Sequence, residues 1–111
     1  MLLPTTKSHA NPSVKTCLHT LFRSPYQIDI NLMISCIAPY DALLLLQDGV
    51  IAALSHVDTV ICLLAPDVPV YALREDAEAR GLVTKISTSI QLIDYTKFVR
   101  LTTQHAVQLA W

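Results

Sequence analysis

At 111 residues the chain is one small domain, yet 52% of it is hydrophobic and only 15% charged, more apolar material than so small a core needs. A formal net charge of −1, with eight scattered Lys and Arg, argues against unaided nucleic-acid binding through a basic patch. No apolar run reaches the roughly 18–20 residues of a spanning helix, so the surplus apolar surface is assigned to subunit contacts rather than a membrane.

Residues 1–16 are polar, carry Pro4 and Pro12, and show no periodicity. They are expected to form a disordered N-terminal extension ahead of one domain spanning 17–111. They lack the apolar segment and cleavage site of a secretory signal. The expected compartment is therefore the cytoplasm, where Cys17, Cys36 and Cys62 would be free thiols.

Leu18 to Arg23 reads as the first strand, and Ser24-Pro25 as a turn or helix start. Ile28 to Ile37 is apolar and long enough for a helix, which Pro39 ends. A second strand is expected from Asp41 to Gln47. Its run Leu43-Leu44-Leu45-Leu46 has no solvent-facing alternate, so both faces must be covered, as in a parallel sheet between helices. Asp48 is placed to cap a following helical stretch, Gly49 to His56. In Thr59 to Leu64, Val60, Ile61 and Cys62 favour a strand by propensity. Alternation with the better strand Val68 to Leu73 favours a helix instead. Glu75 to Arg80 is a short helix stopped by Gly81. Ile90 to Asp94 is a strand, Thr96 to Gln104 a helix, and Val107 to Trp111 a last strand. The sum is a three-layer α/β/α sandwich with a mostly parallel five-stranded sheet, flavodoxin-like in layout.

In such a sheet, polar residues just past the strand carboxyl ends line the crevice where sites form. Asp48-Gly49 and Asp94-Tyr95-Thr96 occupy such corners and read as caps before they read as ligands. His19, inside a strand with no nucleophile near it in sequence, reads as a hydrogen-bonded structural residue. With only Gly49 and Gly81 there is no phosphate-cradling pattern, and no His, Asp, Glu or Cys cluster has metal-ligand spacing. No cofactor, metal or catalytic residue is therefore expected. Cys62, between Val60-Ile61 and Leu63-Leu64, reads as a buried small hydrophobe, and Cys36 lies near the end of an apolar helix. Tyr95, Phe98 and Trp111 are large apolar groups near the chain end, where aromatic anchors would suit a partner interface.

Several blocks agree in order and spacing with one family. They are Leu18-His19-Thr20-Leu21-x-Arg23-Ser24-Pro25, Leu43-Leu44-Leu45-Leu46-Gln47-Asp48-Gly49-Val50, Val70-Tyr71-Ala72-Leu73-x-Glu75-Asp76, Ala79-Arg80-Gly81-Leu82, and Leu92-Ile93-Asp94-Tyr95-Thr96-x-Phe98-Val99-Arg100-Leu101-Thr102, closed by Ala110-Trp111. From about residue 17 onward the chain resembles the TusB family, the DsrH-type subunits of the relay that makes 2-thiouridine in tRNA. The resemblance implies a DsrE/DsrF/DsrH-like fold. It also implies assembly with TusC-like and TusD-like chains in a heterohexamer with two copies of each. A TusA-like donor would deliver persulfide sulfur to that complex, and a TusE-like acceptor would carry it toward the wobble uridine.

In the related sulfur-carrying subunit the relay cysteine lies just after the third strand, at the start of a helix. The corresponding residues here, Leu73-Arg74-Glu75-Asp76, hold no thiol, and two carboxylates would disfavour a thiolate there. The expected role is therefore a non-catalytic structural subunit. Alternatives at this point are a sulfur carrier in its own right through Cys36, a DsrEFH-type subunit of sulfur oxidation, or a small-molecule binder acting alone.

Overall fold

The computed structural model describes residues 15–111; most of the expected N-terminal extension, residues 1–14, lies outside them. Strand β1 is Cys17–Leu21, helix α1 Ile30–Ser35, β2 Ala42–Leu45, α2 Thr59–Leu64, β3 Val70–Leu73, α3 Arg74–Ala79, β4 Gln91–Ile93, α4 Tyr95–Gln104 and β5 Val107–Ala110. Two 3-10 segments, Gln47–Ala53 and Val83–Lys85, complete the chain. Thr59–Leu64 is helical, as alternation demanded against its strand propensity.

The sheet order is β4-β3-β2-β1-β5, and every pairing is parallel. The handedness of crossovers then decides the layers. The first three connections step in one direction across the sheet, from β1 to β4, so right-handed crossovers put α1, α2 and α3 on one face. The fourth returns from β4 to β5 and puts α4 on the other. The packing follows that rule. Ile30 and Met33 of α1, Val60 and Leu63 of α2, and Ala77 of α3 share one apolar cluster with Leu43 and Leu45. Leu101 of α4 shares the opposite cluster with Leu18, Leu44, Leu73 and Ile93.

β2 is the central strand, and Leu43 to Leu46 are all buried, split between the two clusters and the following turn. Each contributes roughly 2 kcal/mol of apolar burial. At the sheet edge, by contrast, all four residues of β5 are exposed.

Local detail departs from expectation in three places. The first helix is shorter than Ile28–Ile37 because Asp29 caps it, accepting the Leu32 N–H at 3.0 Å. After β2 the chain turns through a 3-10 segment, and Asp48 caps nothing. Gln47 takes a left-handed φ of 51°, which starts the turn one residue earlier and swings Asp48 outward. Cys62 is exposed rather than buried: α2 points Val60 and Leu63 inward and leaves Ile61 and Cys62 outside.

Candidate functional site at the strand carboxyl ends

β3 runs directly into α3, so Arg74, Glu75 and Asp76 stand at the crevice above the sheet. Neither carboxylate caps its own helix. Asp76 Oδ2 accepts the N–H of Gln47 at 2.6 Å, holding the strained residue that follows β2. Glu75 Oε2 accepts the N–H of Tyr95 at 3.3 Å, tying α3 to the first turn of α4. Asp94 caps α4 by accepting the Lys97 N–H at 2.8 Å. Arg80 reaches back across the crevice, its Nε and Nη2 both 3.1 Å from Asp48 Oδ1, while its Nη1 bonds the Asp76 carbonyl. Three carboxylates and a guanidinium thus cross-brace the ends of β2, β3 and β4. The contacts join protein groups to protein groups, and none of the four is a thiol.

Gly49 lets the turn after β2 pass against β1. A Cβ built there would lie 2.0 Å from the Leu21 carbonyl oxygen, so no side chain fits. That carbonyl already accepts the Leu46 N–H at 3.0 Å, which locks the turn to the strand.

The thiols lie away from this crevice. Cys17 opens β1, and Cys36 is the C-cap of α1, which returns the chain to the amino ends of the strands. A thiolate is favoured at a helix N-terminus or beside a cation; Cys36 sits at the other end of its helix, whose last turn has no basic residue. Burial pushes the Cys17 thiol above its ordinary value, and the Asp41 carboxylate pushes it further. Cys62 is exposed on the flank of α2.

The anchors proposed from sequence do not converge. Tyr95 stands exposed at the start of α4, and Phe98 lies half-buried beside it, the rings edge-to-face at 5.5 Å. Trp111 is at the far edge of the sheet, folded onto His19. Its indole Nε1–H donates to His19 Nδ1 at 3.2 Å, with the rings stacked at 6.4 Å. An indole nitrogen only donates, so His19 Nδ1 is the acceptor and Nε2 carries the proton. Nε2–H in turn donates to Asp41 Oδ2 at 3.0 Å. Asp41 also accepts the N–H groups of Cys17 and Ala38, both at 2.9 Å. Burial alone would raise this carboxyl; the two backbone N–H groups and His19 outweigh it and hold it below the usual carboxylate range. His19 is thus the hydrogen-bonded structural residue expected of it, but its partners were not foreseen. The contact depends on register: His19 pairs with Leu43, two residues past Asp41 on the adjacent parallel strand, and no local sequence pattern contains that pairing. Among the described residues no cluster of His, Cys, Asp or Glu could hold a metal ion.

Residues 23–108 match the family described as DsrH like protein. The chain belongs to the DsrH family. It is 52% identical over 94 residues to Protein TusB of Pectobacterium parmentieri, covering 85% of this chain and 99% of that one. Protein TusB of Escherichia coli K12 is 50% identical over the same coverage. Among solved structures, the DsrH fold seen here superposes on the YchN protein of E. coli with a TM-score of 0.73. That match covers 88% of this chain and 100% of the other at 17% identity, a likeness of fold. Protein Tm0979 of Thermotoga maritima gives a TM-score of 0.58 at 28% identity, covering 79% and 92%.

Proposed function

We propose that this DsrH-family chain is a non-catalytic structural subunit of a TusBCD-type sulfur-relay complex, serving 2-thiolation of the wobble uridine of tRNA in the cytoplasm. It works beside TusC-like and TusD-like chains in a heterohexamer. The TusA-like donor and TusE-like acceptor meet the complex at a thiol on another subunit. This chain contacts no tRNA and enters no membrane; among the described residues no helix is long and apolar enough to cross one.

One observation carries the reading. The corner after β3, where a sulfur carrier of this fold type would present its cysteine, holds Arg74, Glu75 and Asp76, with both carboxylates committed to neighbouring backbone. The partner contacts are assigned to Tyr95, Phe98 and Trp111, two of which lie at or near the surface of α4.

The test is a chain with Cys17, Cys36 and Cys62 all changed to Ser, assembled with its partners and assayed for tRNA thiolation. Full thiolation is expected. Loss of thiolation in a complex of normal mass and folding refutes the proposal. The exposure of Cys36 favours one second reading, a carrier role for that thiol. Mass spectrometry of the assembled complex after a labelled persulfide donor separates the two: a stable added sulfur on Cys36 supports the carrier.

A further inference from the structure

Strand β5 pairs with β1 on one side only, and its other side is an open edge of the sheet. The bonds on the paired side fix which backbone groups that edge presents. The Val107 N–H donates to the Thr16 carbonyl at 3.2 Å and the Trp111 N–H to the Thr20 carbonyl at 2.8 Å, while the Trp111 carbonyl accepts the Phe22 N–H at 3.2 Å. Odd-numbered residues therefore face β1. The N–H and C=O of Gln108 and Ala110 point outward, where among the described residues no strand meets them. Side chains alternate between the two faces of the sheet. Gln108 belongs to the α4 side, its Nε2 donating to the Thr102 and His105 carbonyls, both at 3.0 Å. Trp111 packs in the cluster on the side of α1, α2 and α3, so Val107 and Leu109 share that face, where they stay 44% and 43% exposed. Edge strands are commonly guarded against pairing by a charge, a proline or a bulge. Val107-Gln108-Leu109-Ala110 has neither charge nor proline, and its register with β1 runs without a bulge.

We propose that β5 pairs antiparallel with β5 of a second copy of this chain, across a two-fold axis at Leu109, so that the two five-stranded sheets join edge to edge. The outward groups set the register. With the axis at Leu109, Gln108 of one copy lies opposite Ala110 of the other, and each such pair exchanges two N–H···O=C bonds. An axis at Gln108 would instead need Ala106, which lies outside the strand. Leu109 then meets its own image, and Val107 of each copy meets Trp111 of the other, whose ring is held in place by His19. Every exposed apolar side chain of the strip thus gains an apolar neighbour. The free groups select an extended occupant, because a helix spends its own N–H and C=O groups internally. They also select a copy of this strand. It is uncharged, so pairing with itself sets no like charges opposite one another, and it brings the same free groups and the same apolar face. The two-fold contact is closed, whereas β5 on the β4 edge of another copy would leave a free edge at each end and propagate. This pairing does not depend on the relay reading.

The experiment uses the full chain, alone and co-expressed with TusC-like and TusD-like chains, in a background with Cys17, Cys36 and Cys62 changed to Ser. Leu109→Cys is oxidised mildly and the products are weighed. Residues facing each other at this axis form a non-hydrogen-bonded pair with Cα atoms about 4.5 Å apart, within the roughly 4.4–6.8 Å that a disulfide spans. A covalent dimer of this chain is expected. Val107→Cys should give none, because its image lies about 13 Å along the strand. Ala110→Pro deletes an outward N–H and leaves the bonds to β1 intact. With circular dichroism unchanged, it should weaken the dimer seen in sedimentation about tenfold or more, since two hydrogen bonds are lost across the axis. Leu109→Lys, which sets two ammonium groups together at the axis, should weaken it as well. A chain that stays monomeric alone and forms no Leu109→Cys cross-link in the complex overturns the proposal. So does equal cross-linking through Val107→Cys, or a dimer indifferent to both Ala110→Pro and Leu109→Lys. Loss of another subunit from the Ala110→Pro complex, with no Leu109→Cys cross-link, gives the edge to a strand of a different protein and overturns the second copy. A Leu109→Cys dimer from a chain that retains neither TusC-like nor TusD-like partner supports the pairing and counts against the subunit reading instead.

Discussion

Asp41 does more than any other single side chain to set the start of this fold. Its carboxylate collects two backbone N–H groups and an imidazole, and so joins the start of β1, the loop before β2 and, through His19, the chain end at Trp111. Replacing it by Ala would orphan two N–H groups and the His19 Nε2–H together, a cost of about 3 kcal/mol. The network also predicts how stability follows pH. The Asp41 carboxyl is held below its ordinary value of 3.8, so its contribution is present above that pH and is lost as pH falls through the lower, folded value. Burial likewise holds His105, whose Nδ1 faces Thr16 Oγ1 at 2.8 Å, below the ordinary 6.5. On acidification the unfolded chain takes up that proton first, so stability begins to fall as pH drops below 6.5. Urea unfolding of the full chain should therefore lose stability in two steps, one beginning below pH 6.5 and one below pH 3.8. His105→Gln should remove the upper step and leave the lower. A pH profile with His105→Gln that matches wild type would exclude this assignment.

At the scale of elements, the turn after β2 is where the sequence was least readable and the chain most tightly constrained. Asp48 has the residue type and position of an N-cap, but its neighbour Gln47 adopts the left-handed conformation, and that choice is made by an acceptor 29 residues away, Asp76. No local pattern contains that contact. Cys62 misled for another reason. Every interior position of Thr59–Leu64 is apolar, so periodicity says nothing about which side faces out. The parallel, layered architecture, by contrast, was largely implied by two-sided burial of the leucine run and by alternation, because both are properties of whole elements. The two glycines separate these kinds of constraint experimentally. Gly49→Ala puts a Cβ 2.0 Å from backbone that has nowhere to move, and it should cost more than about 3 kcal/mol or abolish soluble expression. Gly81 has a φ of 67° but nothing within 4 Å of a built Cβ, so Gly81→Ala should cost only about 1 kcal/mol. Equal melting temperatures for the two variants would show that close approach at Leu21 is not what selects Gly49.

For the whole molecule, the topology produces an incomplete sandwich. Among the described residues three α-helices crowd one face, one lies on the other, and β5 closes an edge with none of its residues buried. Tyr26, Leu32, Ile61, Tyr95 and Val99 remain exposed on the helical layers, so the apolar surplus of the composition has gone to the surface. At the corner after β3 the residue types Arg74, Glu75 and Asp76, with no thiol among them, were legible in the sequence, whereas the bracing they make was not. A chain built this way should depend on mass action. A partner present at 100 times its dissociation constant adds about 2.7 kcal/mol to the folded state. For a domain of this size that raises the melting temperature by roughly 10 °C. Melting of the isolated chain should therefore occur well below that of the co-purified complex, and dilution of the complex should lower its midpoint toward the value for the chain alone. Differential scanning fluorimetry across a hundredfold dilution, followed through the lone Trp111, reads this directly. A midpoint that is the same for isolated and assembled chain would mean that the exposed apolar surface is not completed by the partners, and that the sandwich is stable as it stands.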